Sequence, residues 1–145
     1  GKLFVTDTYA HDVKVFDAQG KLVQTIGLRG ADSGEFNYPT HLALAQGALF
    51  VTDTLNARIQ VFDAATGEHR RSFGQRGLVV GNLVRPKGVA VDGEGNVYVI
   101  SMGGHGTATG RFYLPAGLWV DGRNRVHIAD MFNGRIVLFQ FLGGG

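Results

Sequence analysis

Cysteine is absent from the 145 residues. That excludes disulfides, thiolate metal sites and a covalent haem-attachment motif. Proline occurs three times, tryptophan once and methionine twice. No apolar run approaches the roughly 20 residues of a membrane span, and no stretch has the layout of a secretory signal peptide. Only 18% of residues are charged, and the net charge is +2. The sequence pI near 9.2 reflects a small excess of Lys and Arg over acids, too mild to argue for a nucleic-acid or membrane partner by itself. A nucleophile elbow, a zincin helix motif and a phosphate-binding loop are all missing.

What the chain has in abundance is glycine, 23 residues, together with 10 Phe and many Val, Leu and Ile. This is globular composition, and the glycine points to short strands joined by tight turns. The length suffices for one domain with a real core.

Three phrases recur. FVTDTYAHDVKVFD, FVTDTLNARIQVFD and HIADMFNGRIVLFQ begin at residues 4, 50 and 127. GEFNYPTHLAL, GNLVRPKGVAV and GRFYLPAGLWV begin at 34, 81 and 110. TIGLRG, SFGQRG and SMGGHG begin at 25, 72 and 101. Gly27, Gly74 and Gly103 each precede a proline (Pro39, Pro86, Pro115) by 12 residues. Successive prolines, however, are 47 and then 29 apart, so 18 residues are absent from the third unit. Counting 14 from Pro86, as from Pro39 to Asp53, places that deficit at Ile100–Ser101.

A full unit carries four strand-like runs, a to d. Runs a and b are almost wholly apolar, run c alternates partly, and run d is more polar, as suits an outer edge. Turn signals such as Gln46-Gly47 and Asp92-Gly93 separate them. The fold class is therefore all-β: four-stranded antiparallel propeller blades, three to four of them, in an incomplete ring. The expected organisation is a partial blade over 1–27, a full blade over 28–74, a truncated blade over 75–103 and a partial blade over 104–145. The expected origin of the gaps is a longer chain, with self-association of partial rings as the other account.

The phrases G-x-F-x-x-P, FVTD and N-x-R-I-x-V-F resemble NHL repeats, the units of six-bladed propellers, over essentially the whole chain. The resemblance implies an exported or surface-located bacterial protein and protein partners, electron-transfer proteins of an exported system among them. It also implies that position 41 faces the central channel.

Polar residues of the recurring turn read as structural. Asp53 and Asn56 can bond turn backbone, Asn tolerates the left-handed conformation, and Arg58 can pair with Asp53 or the neighbouring blade. The set recurs as Asp130, Asn133 and Arg135, whereas at Asp7 the Asn and Arg are lost. Candidate binding residues on loop positions are Arg29, Tyr38, His41, Arg76, Arg85, Lys87 and His105. One His among three equivalent positions does not make a metal centre, so no metal or other cofactor is expected. Trp119, lying in run a, reads as core. The leading function is a non-enzymatic interaction scaffold. The alternatives are a metal-dependent propeller lyase or lactonase acting in the axial channel, and single-stranded RNA binding, against which the scattered basic residues weigh.

Overall fold

Short runs rich in β-branched and aromatic residues, punctuated by Gly, Asp and Asn, favour short strands. The computed structural model describes residues 1–77, 83–101 and 115–140. There the runs form twelve strands in four antiparallel sheets. The first sheet holds β1 (Leu3–Asp7), β2 (Asp12–Phe16) and β3 (Leu22–Ile26). The second is four-stranded: β4 (Pro39–Ala45), β5 (Ala48–Asp53), β6 (Arg58–Asp63) and β7 (His69–Phe73). β8 (Pro86–Val91) and β9 (Val97–Ser101) form the third. β10 (Pro115–Val120), β11 (Arg125–Asp130) and β12 (Arg135–Gln140) form the fourth. The only helical element among the described residues is a 3₁₀ turn, Met131–Asn133.

In every sheet the strands lie in chain order, each hairpinned to the next. The sheets themselves stack in sequence. β1 packs against β4, β4 against β8, and β8 against β10. Among the described residues the four sheets do not close a ring.

Register corrects one detail of the sequence reading. Pro39 faces Asp53 and Pro115 faces Asp130, but Pro86 faces Ser101, not Ile100. The turn between β8 and β9, like that between β10 and β11, is longer than the Gln46-Gly47 turn, which shifts the count by one. Ser101 thus ends β9. Ser101 Oγ accepts from the Val84 N–H at 2.6 Å and donates to the Val84 carbonyl at 2.8 Å. Each sheet that begins at a proline has a bulge just after it, between Pro39 and Leu42, Pro86 and Gly88, and Pro115 and Gly117.

The turns at the far end from these prolines have two designs. Gln46 (φ 49°) and Gly47 (φ 71°) are both left-handed, as a two-residue hairpin of matching twist requires. Elsewhere an aspartate organises the turn by accepting two backbone N–H groups on Oδ1. Asp17 serves Gln19 and Lys21, Asp63 serves Ala65 and Thr66, Asp92 serves Glu94 and Asn96, and Asp121 serves Arg123 and Arg125.

The core lies between successive sheets. Val13, Val15 and Ile26 of the first meet Leu49, Val51 and Phe62 of the second, with Phe36 beneath. Phe50, Ile59 and Val61 on the opposite face of the second sheet meet Val89 of the third. Ala90 and Ile100 then meet Leu118, Val126 and Ile128 of the fourth. Each fully buried aliphatic or aromatic side chain contributes about 1.5–3 kcal/mol. Trp119 departs from the sequence expectation. It is 60% exposed, because it stands on the face of the last sheet that turns away from the third. Its ring lies 4.8 Å from that of its cross-strand neighbour His127.

Candidate interaction face

The end of each sheet marked by the prolines gathers two kinds of loop. One is the turn after β1 and β5. The other is the segment linking one sheet to the next, of which residues 27–38, 74–77 and 83–85 are described. The glycine opening each linking segment, Gly27 (φ 84°) or Gly74 (φ 89°), has a conformation that side chains resist. A Cβ on Gly27 would lie 2.4 Å from the Phe36 ring, and one on Gly74 would lie 2.6 Å from Leu83 Cδ1. Phe36 and Leu83 are equivalent positions that plug each loop, and both bridge back to an arginine backbone, Arg29 and Arg76 respectively.

The first loop is clamped by the second sheet. Asp53 is fully buried. Its Oδ1 accepts from the Asn37 N–H at 2.7 Å. Its Oδ2 accepts from Arg58 Nε at 2.8 Å, Asn56 Nδ2 at 2.9 Å and Gln60 Nε2 at 3.2 Å. The same donors reach into the loop. Arg58 Nη2 bonds the carbonyls of Asp32 and Glu35, Asn56 Nδ2 that of Gly30, and Gln60 Nε2 that of Glu35. A buried carboxylate is tolerable only when paired and fully bonded, and here the partners also fix the loop. In the fourth sheet Asn133 Nδ2 donates to the buried Asp130 carboxylate at 2.7 Å. Arg135 begins β12 opposite Asp130. In the first sheet Asp7 Oδ1 accepts only the Ala10 N–H among the described hydrogen bonds. Asp12 stands where Arg58 does, is ion-paired to Lys14, and has its buried Oδ1 unbonded.

The left-handed residue of this turn is one place beyond the asparagine: His11 (φ 61°), Ala57 (φ 56°) and Gly134 (φ 60°) are equivalent. Asn56 instead uses its side chain to bond. His11 is 6% exposed, and its Nδ1 accepts from the Tyr38 N–H at 3.1 Å. Thr8 and Thr54, visible as the last residue of each TDT, donate to the carbonyls of Pro39 and Pro86 at 2.8 Å, tying each sheet to the next. Nothing in the sequence reading had singled them out.

On this clamped frame the loop positions present unlike side chains. Tyr38 (φ 55°) and Arg85 (φ 50°) are equivalent, and both are left-handed immediately before a proline. The Tyr38 ring packs edge-on to His11 at 4.7 Å and to Tyr9 at 6.1 Å, and Tyr9 is 85% exposed. Arg85 and Lys87 are exposed, as is Arg29. Arg76 is exposed, and its Nη2 donates to the Leu55 carbonyl at 2.8 Å. The face thus collects Tyr9, Tyr38, Arg76 and Arg85. His41 sits in the β4 bulge, half-buried, and burial lowers its pKa. His105 lies outside the described residues. No group of three or more His, Asp or Glu side chains converges among the described residues.

The opposite end is held by its own carboxylates. Burial would raise the pKa of Asp92, but bonds from Asn96, Tyr98 and the Glu94 N–H outweigh it and lower the pKa. Burial would raise the pKa of Asp121 too, but bonds from Arg125, the Arg123 N–H and His127 together outweigh it and hold the carboxyl well below the usual carboxylate range. Burial, and then the bond to Asp92, raises the pKa of Tyr98. No helix among the described residues is long and apolar enough to cross a membrane.

Known proteins fit this geometry. Residues 1–46 match a family described as a 6-bladed beta-propeller. Over 101 residues the chain is 29% identical to Protein brain tumor of Drosophila melanogaster, which is 68% of this chain and 9% of that protein. Among solved structures, virginiamycin B lyase from Staphylococcus aureus superposes with a TM-score of 0.61 at 14% identity, covering 99% of this chain and 53% of that one. The WD40 repeats of RRP9 superpose with a TM-score of 0.60 at 14% identity, covering 95% and 47%. The chain spans about half the length of these structures. Stacked antiparallel sheets of two to four strands, packed through their first strands, make this chain a run of β-propeller blades.

Proposed function

We propose that the chain belongs to an NHL-type propeller that serves as a non-enzymatic protein-interaction scaffold in a larger extracytoplasmic assembly. Blades over 1–27, 28–74, 75–103 and 104–145 belong to this reading. Fold alone does not choose among propeller functions, since both a lyase and WD40 repeats share it. The observation that carries the proposal is the contrast at one position. Tyr38 and Arg85 occupy the same left-handed position before a proline, yet one offers an aromatic ring and the other a guanidinium. A constant frame with divergent tips is how repeat proteins build binding surfaces, and Tyr and Arg are the side chains that anchor protein interfaces. The extracytoplasmic placement and a partner from an exported electron-transfer system rest on the NHL resemblance.

Asparagine tolerates the left-handed conformation, so Tyr38→Asn and Arg85→Asn remove the tips without disturbing the frame. The paired variant should lose capture of the protein partner by at least about tenfold, the scale of two interface anchors, with its melting temperature kept. Unchanged capture, or turnover of a small substrate that both variants keep, contradicts the scaffold reading.

A further inference from the structure

Between the second and third sheets, at the end away from the candidate face, lies a cavity of about 320 Å³ lined by Ala48, Phe50, Val61, Arg70, Arg71 and Val91, among others. Strand register shows what belongs there. Val61 pairs with Arg71 as Val15 pairs with Gln24, so Arg71 is the equivalent of Gln24, and Ala48 likewise of Lys2. At the first interface those two residues hold the β6–β7 turn of the next sheet. Gln24 Nε2 donates to the Thr66 carbonyl at 2.7 Å, Lys2 Nζ donates to the Ala65 carbonyl at 3.1 Å, and Gly67 lies close against Gln24 and Ile26. At the second interface the third sheet has only β8 and β9 among the described residues, so no turn of this kind meets Arg71. Among the described residues Arg71 is exposed without a partner and β9 has a strand on one side only.

We propose that this open seat takes a strand-and-turn segment from a partner polypeptide. The strand adds antiparallel to the free edge of β9, as β6 does to β5. Its alternate apolar side chains cover Phe50 and Val61. The turn that follows is aspartate-organised, as at Asp17 and Asp63, and offers its carbonyl oxygens to Arg71, whose fork of donors exceeds the amide of Gln24. Arg70 is already ion-paired to Asp63, which leaves Arg71 as the cation that faces the incoming turn.

The test uses the chain's own intact strand pair as probe, a fluorescein-labelled peptide of residues 57–74 added to the 145-residue chain and followed by anisotropy. Saturable binding is expected. Arg71→Glu in the chain, an exposed change that spares folding, should weaken it at least tenfold. A peptide carrying Gln60→Pro, which breaks the added strand, should not bind. Absence of saturable binding, as when the chain's own residues fill the seat, overturns the proposal. So does binding that both changes leave intact.

Discussion

Arg58 joins two blades through one side chain: its Nε meets the buried Asp53 carboxylate at 2.8 Å while its Nη2 holds the Asp32 carbonyl at 2.7 Å. The pair is a joint between the sheet and the loop arriving from the previous sheet. Removing either member strands the other. Asp53→Ala and Arg58→Ala should each cost about 3–5 kcal/mol, the scale for breaking a buried pair. The double variant should cost clearly less than the sum, because both remove one network. Chemical denaturation checks this, and additive losses contradict it.

Gly27→Ala should destabilise more than Gly74→Ala. Both force a side chain into left-handed backbone, but the first also meets the ring of Phe36 and the Gly34 carbonyl, whereas the second meets the movable tip of Leu83. Thermal unfolding of the two variants gives the ranking.

Arg85→Asn should raise stability by about 0.5–1 kcal/mol, since relieving a left-handed non-glycine residue removes strain of order 1 kcal/mol. Arg85 is exposed, so little packing is lost. The same change should weaken partner capture. A gain in melting temperature together with a loss of binding marks a residue kept for contact. Loss of both contradicts that view.

Acid should destabilise the chain through its turn carboxylates. Asp92 and Asp121 both have folded pKa values lowered from the unfolded value. Their stabilisation is therefore full above the unfolded carboxylate pKa, roughly 4, and is lost as pH falls below it toward the folded values. Asp121→Asn should flatten part of the fall in unfolding free energy below about pH 4 while changing little of the slope above about pH 5. An equal slope in wild type and variant contradicts the assignment.

Much of this arrangement is legible from spacing. The recurring FVTD and G-x-F-x-x-P phrases mark strand ends, where Asp53 and Asp130 are buried and Phe36 and Leu83 plug the linking loops. The pairing of Arg58 with Asp53 follows from their types and separation. Register is harder to read. Residue counting makes Ile100 the equivalent of Asp53 because it assumes equal turns, but the β8–β9 turn is longer. Trp119 was assigned to the core because run a is apolar, yet burial depends on whether another sheet lies over that face. As the sole tryptophan it makes the point measurable: acrylamide should quench its fluorescence readily in the folded chain. The loss of arginine at Asp12 is legible in the repeat, whereas the left-handed turn at His11 is not.

Site-specific photo-crosslinking tests the scaffold reading most directly. A photoreactive phenylalanine is placed at position 38 or 85 on the candidate face, and at 19 or 122 in turns at the opposite end. Covalent capture of the same protein partner from positions 38 and 85, and not from 19 or 122, is the predicted result. Capture from the opposite end alone, or from none of the four, contradicts the assignment of this face as the one that binds.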